Sequence, residues 1–230
     1  MIKKQRQSII LNFLKGKKIV AIETLSNELK IPLTTLRRDL TELEELKKIV
    51  KLHGGVEYKE PAFIYEDFFE KKIKDNVKEK ETIAKEAIKK IKKNDSIFID
   101  SGSNGYFVAK NLKADLNLQI VTNSIYNILE LVKNGHDNVY LLGGKFTNVT
   151  GAILGFEALE ALKNYNFDIA FLGVNAVDEN GNIYTTSPEH AQVKIEVIKN
   201  SRESYGLADS SKLDRKSFYK FADKESIKLI

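Results

Sequence analysis

No cysteine occurs among the 230 residues. That excludes disulfides, thiolate metal sites and cysteine nucleophiles, and it fits a reducing cytoplasm. Histidine is scarce too: His53, His136 and His190 stand far apart and show no metal-ligand spacing. No metal and no cofactor are therefore expected. No apolar run approaches the length of a membrane span, and the polar opening Met1-Ile2-Lys3-Lys4-Gln5-Arg6 is not followed by an apolar signal core. A cytoplasmic protein with no membrane partner is expected. Internal repeats and low-complexity segments are also missing. What remains is ordinary for a globular chain, 42% hydrophobic and 30% charged. The length suits one large domain or two smaller ones.

The net charge of +5 sits in one place. Residues 1–60 hold 13 Lys or Arg against 8 Asp or Glu, while residues 61–230 hold 24 of each. A clustered positive excess supplies the salt-dependent part of DNA affinity. The same stretch has the periodicity of three helices. Residues 3–15 place Ile9, Ile10, Phe13 and Leu14 on one face, and Gly16 ends the run. Residues 21–29 form a short amphipathic helix with Leu25 and Leu29 inside. Lys30-Ile31-Pro32 then breaks the chain, with Pro32 tolerated in a first helical turn. The next helix buries Leu36, Leu40, Leu43 and Leu46 at helical spacing. Arg37 and Arg38 are left outside, suited to phosphates and guanine edges in a major groove. The plainer alternative pairs them with Asp39 or Glu42 on a solvated face. Ile49-Val50-Lys51-Leu52-His53 has strand character and Gly54-Gly55 signals a turn. The sum is a winged helix-turn-helix.

From residue 79 the pattern alternates. Helices are expected at 79–92, 105–112, 124–134, 155–164 and 188–202. Short apolar strands are expected at 96–100, 119–122, 138–142, 168–172 and 204–208, with 227–230 as a final strand. Strands separated by helices imply a parallel sheet with right-handed crossovers. Ligands of such sheets lie beyond the strands' carboxyl ends. There the chain carries Asp100-Ser101-Gly102-Ser103-Asn104-Gly105, Asn123-Ser124, Gly143-Gly144-Lys145, Gly173-Val174-Asn175 and Asp209-Ser210-Ser211-Lys212. The first loop leads into a helix N-terminus, which suits a phosphate. It is neither a P-loop nor a dinucleotide fingerprint.

These motifs resemble the DeoR family of bacterial transcription regulators. Its N-terminal signature of RRDL, a Leu-Glu-rich turn and a basic-x-His-Gly-Gly hairpin is matched by Arg37-Arg38-Asp39-Leu40, Leu43-Glu44-Glu45 and Lys51-Leu52-His53-Gly54-Gly55. Pro32, Lys47 and Lys51 stand where the family usually has a Ser cap, a turn Gly and an Arg. Phe69, Lys72 and Glu79-Lys80-Glu81-Thr82-Ile83-Ala84 fit the segment between domains. Thr122-Asn123-Ser124, Leu142-Gly143-Gly144, Asp168-Ile169-Ala170-Phe171-Leu172-Gly173, Glu189 with Lys194, and Ser211-Lys212 fit the sensor domain. Asn104 replaces the second Thr of the family's D-S-G-T-T loop.

The resemblance implies an α/β protein. A winged helix-turn-helix domain (1–58), a linker (59–78) and a parallel-sheet sensor domain (79–230) similar to sugar-phosphate isomerases and CoA transferases are expected. The aromatic patch Phe63, Tyr65, Phe68 and Phe69 is expected to dock the linker. Candidate DNA contacts are Thr34, Thr35, Arg37, Arg38, Lys51 and His53. Candidate effector contacts are Asp100, Ser101, Gly102, Ser103, Asn104, Gly105, Asn123, Gly143, Gly173, Glu189, Lys194 and Lys212. Ser101, Ser103 and the first-turn N–H groups would hold a phosphate with Lys212, and Asp100, Asn123 and Glu189 would take sugar hydroxyls. The implied function is a repressor of a sugar-metabolism or sugar-uptake operon. It would bind a double-stranded DNA operator as a homodimer or homotetramer, under control of a phosphorylated sugar. The alternative is a sugar-phosphate isomerase-like enzyme using Asp100, Asp168 or Glu189 with Lys212. Family members continue past a strand like IKLI, so this chain is expected to be short or truncated at its C-terminus.

Overall fold

The computed structural model describes residues 3–46, 48–59 and 66–230. The chain divides into two compact units, Met1–Ala62 and Phe63–Ile230.

The first unit runs α1 (Lys3–Leu14), β1 (Val20–Ala21), α2 (Ile22–Leu29), α3 (Leu33–Glu45), β2 (Ile49–Leu52) and β3 (Gly55–Tyr58). The strands form one antiparallel sheet in the order β1-β3-β2. Ile10 and Leu14 of α1, Leu25 of α2, Leu36, Leu40 and Leu43 of α3, and Ile49 and Val56 of the wing make a single core. Two expected core residues are outside it. Ile9 is 42% exposed, since it lies a helical step of about 100° from the Ile10–Leu14 stripe. Leu46 is 60% exposed because α3 ends at Glu45, one residue before the stripe would reach it. Pro32 caps α3 from outside rather than entering its first turn. The α2–α3 turn is closed by Ser26: its carbonyl accepts from the N–H groups of Lys30 and Ile31, and its hydroxyl donates to the Ile31 carbonyl at 2.7 Å. Lys30 itself takes the left-handed conformation that stops α2.

The second unit continues with α4 (Phe69–Lys72), α5 (Val77–Ile88), β4 (Ser96–Ile99), α6 (Ser103–Asn111), β5 (Gln119–Thr122), α7 (Ile125–Lys133), β6 (Val139–Leu141), β7 (Lys145–Thr147) and β8 (Ala152–Leu154). It ends with α8 (Phe156–Leu162), β9 (Phe167–Gly173), β10 (Ala176–Val177), β11 (Asn182–Thr185), α9 (Pro188–Lys199), β12 (Ser201–Leu207), β13 (Tyr219–Asp223) and β14 (Lys228–Leu229). Six strands form a parallel sheet in the order β14-β12-β9-β4-β5-β6. Its strands alternate between two cores. Ile97, Ile99, Ile169 and Phe171 face α5, α6 and α7, while Phe98, Ala170 and Leu172 face α8 and α9. Helices on both faces are what strands buried on both sides require.

Three features differ from the sequence reading. A hairpin, β7–β8, interrupts the crossover after β6. A separate antiparallel sheet, β10-β11-β13, lies beside α9. Residues 66–78, read as linker, belong to the second unit, where Phe69 is buried and stacks on Tyr126 at 3.8 Å. Phe63 and Tyr65 lie outside the described residues.

Candidate functional site

On the first unit, α3 sorts its residues by face. Leu36, Leu40 and Leu43 point inward, as does Asp39, which is fully buried. Arg6 of α1 engages both Asp39 oxygens, one of them at 3.0 Å, and so ties α1 to α3. Glu42 is held by Lys3 at 2.6 Å and by Gln7 at 2.8 Å. Both acids that might have neutralised the arginine pair are therefore engaged elsewhere. Arg37 and Arg38 are exposed, and among the described residues no carboxylate lies within ion-pair distance of either. Thr34 is exposed and Thr35 half-buried at the start of the same helix. Lys51, on the wing, donates to the Thr41 hydroxyl at 2.8 Å and pairs with Glu44 at 3.3 Å. It fastens the wing to α3 instead of standing free. His53 is exposed at the hairpin tip beside Gly54, whose φ of +75° makes the turn. Gly55 is fixed by crowding, since a Cβ there would sit 2.7 Å from Ile19 Cγ2.

On the second unit, the parallel sheet reverses direction of growth at β4. The chain adds β5 and β6 on one side, then crosses back to add β9, β12 and β14 on the other. Ligands of open sheets bind at such a switch point. A cleft lies there, lined by Ser101, Gly102, Ser103, Asn104, Gly173, Val174 and Asn175 from the ends of β4 and β9. Glu66, Lys72, Thr150, Thr185, His190, Lys194 and Lys212 complete it.

The loop after β4 is held from below. Asn123 Oδ1 accepts the Ser101 N–H at 2.8 Å, and Asn127 Nδ2 donates to the Asp100 carbonyl at 3.0 Å. Gly102 takes a φ of +111° and Gly105 tucks against the strand, where any Cβ would meet the Asp100 carbonyl at 2.1 Å. The first-turn N–H groups of α6 have no intrahelical acceptors and open at the cleft. Asp100 lies beneath, ion-paired with Lys194 and accepting from Gly173 N–H at 2.9 Å through the same oxygen, Oδ2. Its other oxygen has no partner, nor does Oδ1 of Asn104, whose amide is turned by a 3.0 Å bond to the Leu207 carbonyl. Both are buried acceptors. Buried polar atoms left so are costly unless something comes to donate.

Electrostatics of the cleft favour an anion. Burial alone would raise the Glu66 carboxyl, but the Lys72 ammonium at 2.5 Å and the Thr186 hydroxyl outweigh it and hold it at about 2. Asn175 Nδ2 adds a third donor to Glu66 at 3.3 Å. Burial lowers Lys212, partly opposed by Asp209, and Lys72 and Arg215 push it further down. Lys212 has no ion-pair partner among the described residues. Its loop is anchored by Asp209, which accepts from Ser211 and, at 3.1 Å, from Asn76. His190 is lowered by burial and by the Lys194 ammonium. Lys80, also buried, donates to the Lys72 carbonyl at 2.6 Å and to that of Asp75, fixing the backbone from which Lys72 projects.

Of the twelve effector candidates, the cleft is lined by Ser101, Gly102, Ser103, Asn104, Gly173, Lys194 and Lys212. Asp100, Gly105 and Asn123 lie behind that lining and shape it. Gly143 and Glu189 are exposed and outside it. On a helix, five residues turn through about 140°, so Glu189 and Lys194 cannot both face inward. His190, four before Lys194, is the residue on the inner face. Glu66, Lys72, Thr150, Thr185 and His190 are cleft residues that site reasoning from sequence missed, and Asn175 was placed at a strand end without being chosen as a contact. The His190–Lys194 spacing alone was a usable signal. Among the described residues no group of three or more His, Asp or Glu is placed to hold a metal ion, and no helix is long and apolar enough to cross a membrane.

Comparison with known proteins agrees with this division. A family profile for the DeoR-like helix-turn-helix domain matches residues 6–62, and one for the DeoR C terminal sensor domain matches residues 75–230. The uncharacterized HTH-type transcriptional regulator FruR of Bacillus subtilis (strain 168) is 32% identical over 222 residues, 96% of this chain and 88% of that protein. The lactose phosphotransferase system repressor of Lactococcus lactis subsp. lactis is 35% identical over 217 residues, 94% of this chain and 85% of that one. Among solved structures, ribose 5-phosphate isomerase A from Methanocaldococcus jannaschii aligns with a TM-score of 0.45 at 24% identity, over 60% of this chain and 55% of its own. With both halves matched in order along nearly the whole length, the chain belongs to the DeoR family of helix-turn-helix transcriptional regulators.

Proposed function

We propose that this regulator is a cytoplasmic repressor of a sugar-metabolism or sugar-uptake operon, controlled by a phosphorylated sugar bound in the switch-point cleft. The observation that carries the ligand class is the pairing of donors and acceptors there. The free N–H groups at the start of α6 and the unpaired Lys212 are donors for a phosphate. The unpartnered oxygens of Asp100 and Asn104 are acceptors for sugar hydroxyls. One ligand with both kinds of group satisfies the set. The name of the lactose phosphotransferase system repressor supports the sugar assignment.

Arg37 and Arg38, with Thr34 and Thr35, read the operator, and His53 reaches a phosphate from the wing. Two recognition helices are needed for half-sites about 34 Å apart, so the working form is a homodimer or homotetramer. Turnover is not proposed. Glu66 at the cleft and Asp100 behind its lining are both held by lysines, an arrangement for binding rather than for taking a proton.

The test joins selection of a duplex from a random pool with a panel of phosphorylated sugars, each beside its unphosphorylated parent. A sequence-selective duplex whose affinity falls with salt is expected, with one phosphosugar changing that affinity and its parent not. A duplex response to the parent sugar alone would overturn the phosphate assignment. Conversion of the phosphosugar would overturn the non-enzymatic one.

A further inference from the structure

Glu66 is given no contact with the ligand by the proposed function. It is the first described residue of the second unit and stands four positions after Ala62, where the first unit ends. Its two carboxylate oxygens are both engaged. Oε1 pairs with Lys72 at 2.5 Å, and Oε2 accepts from the Thr186 hydroxyl at 2.5 Å and from Asn175 Nδ2 at 3.3 Å. The donors come from α4, from the β9–β10 connection and from the residues after β11, so they converge from three separate parts of the unit. An ammonium, an amide and a hydroxyl converging on two oxygens make an anion site. It opens on the same cleft as Lys212, Ser103 and the start of α6.

From this we infer that Glu66 and the anionic group of the ligand are alternative occupants of one subsite built by Lys72, Asn175 and Thr186. This rests on the proposed reading of the cleft as a phosphate site and adds how the site is wired. A dianion entering beside a docked Glu66 meets a like charge, which opposes both. If the ligand takes the subsite instead, its oxygens inherit the three donors and Glu66 is released. The cation count favours the exchange: Lys72, Lys194 and Lys212 face Glu66 and Asp100, and only Asp100 is locked by a fully buried partner. Release would unfasten the backbone immediately after the boundary between the units. Ligand and latch are then coupled reciprocally, as linkage requires.

The absence of cysteine makes the test direct, because a single F68C carries a unique mobility label at a residue that is 57% exposed. Full-length protein is titrated with inorganic phosphate at constant ionic strength, in the wild-type background and with E66Q, E66A and T186V. A latch closed about nine-tenths of the time weakens apparent affinity about tenfold. E66Q and E66A are therefore expected to bind phosphate about tenfold more tightly, whereas T186V, which takes a donor from both occupants, is expected to change affinity little. The label is expected to loosen as phosphate binds the wild type, and to be loose from the start in E66Q. E66Q keeps the size and shape of the side chain, so the test stands if E66A folds poorly. Equal or weaker phosphate binding by E66Q, with binding by the wild type intact, would overturn the shared subsite and leave the phosphate cleft standing. Tighter binding with an unmoved label would overturn the release. No phosphate binding by wild type or variants would remove both the shared subsite and the phosphate reading beneath it.

Discussion

Asp39 in the first unit and Asp100 in the second are both shut away from solvent, at 0% and 1% exposure. Each meets a cation from another helix, Arg6 of α1 and Lys194 of α9. What differs is the remainder. The guanidinium fork of Arg6 engages both Asp39 oxygens, while Lys194 and the Gly173 N–H both fall on Asp100 Oδ2 and leave Oδ1 bare. A planar fork closes a carboxylate; an ammonium is a point charge and engages one side of it. The first pair joins two helices and is finished. The second keeps an acceptor beside a cleft. Burial does not distinguish Asp39 from Asp100, but the count of satisfied lone pairs does.

That contrast can be broken most forcefully at Asp39. D39A removes the buried carboxylate that ties α1 to α3 and is expected to destabilise the first unit more than any other change considered. Denaturant unfolding should show it as loss of one transition, with operator binding gone and phosphosugar binding kept. A second carboxylate tests the comparison through pH. Glu66 is held at about 2, below its ordinary 4.5, so its stabilisation is complete above pH 4.5 and drains away as pH falls toward 2. Urea midpoints at pH 5 and pH 3 should differ more in the wild type than in E66Q. Next in size, R37A and R38A should each weaken operator binding by about 1–3 kcal/mol. Their unfolding free energies from urea titration should stay within about 0.5 kcal/mol of the wild type, since neither side chain has an ion-pair partner to lose among the described residues. The smallest stability effect sharpens the contrast most. Replacing the buried pair together, D100N with K194M, should change stability by no more than about 1 kcal/mol, yet remove the response to phosphosugar. Loss of stability with sensing intact would make Asp100 a structural acid like Asp39.

Legibility from sequence followed the length and regularity of each element. α3 was readable because Leu36, Leu40 and Leu43 repeat at helical spacing around an exposed arginine pair, and β4, β5 and β9 because each holds successive apolar residues, Ile97–Ile99, Ile120–Val121 and Ile169–Leu172. The β7–β8 hairpin and the β10-β11-β13 sheet were not, since two to five residues with mixed polarity carry no period. The cleft was half readable. Loops at strand ends announced Ser101, Gly102, Ser103, Asn104 and Gly173. Glu66 was hidden in a charged stretch that resembles any linker, and its partners Asn175 and Thr186 lie 109 and 120 residues away. Glu189 came with Lys194 from the family's motif, and a five-residue spacing does not put both on one helix face.

The strand order also has a consequence in time. In the parallel sheet, Ser96 at the start of β4 bonds to Asp168 at the start of β9, 72 residues later. In the first unit, strands β2 and β3 pair across a hairpin. Chains that must close long loops before any contact rewards them fold more slowly than those with near neighbours to join. The DNA-binding unit is thus expected to form first. The ligand cleft, whose two walls are the ends of β4 and β9, has to wait for the longest closure in the sheet.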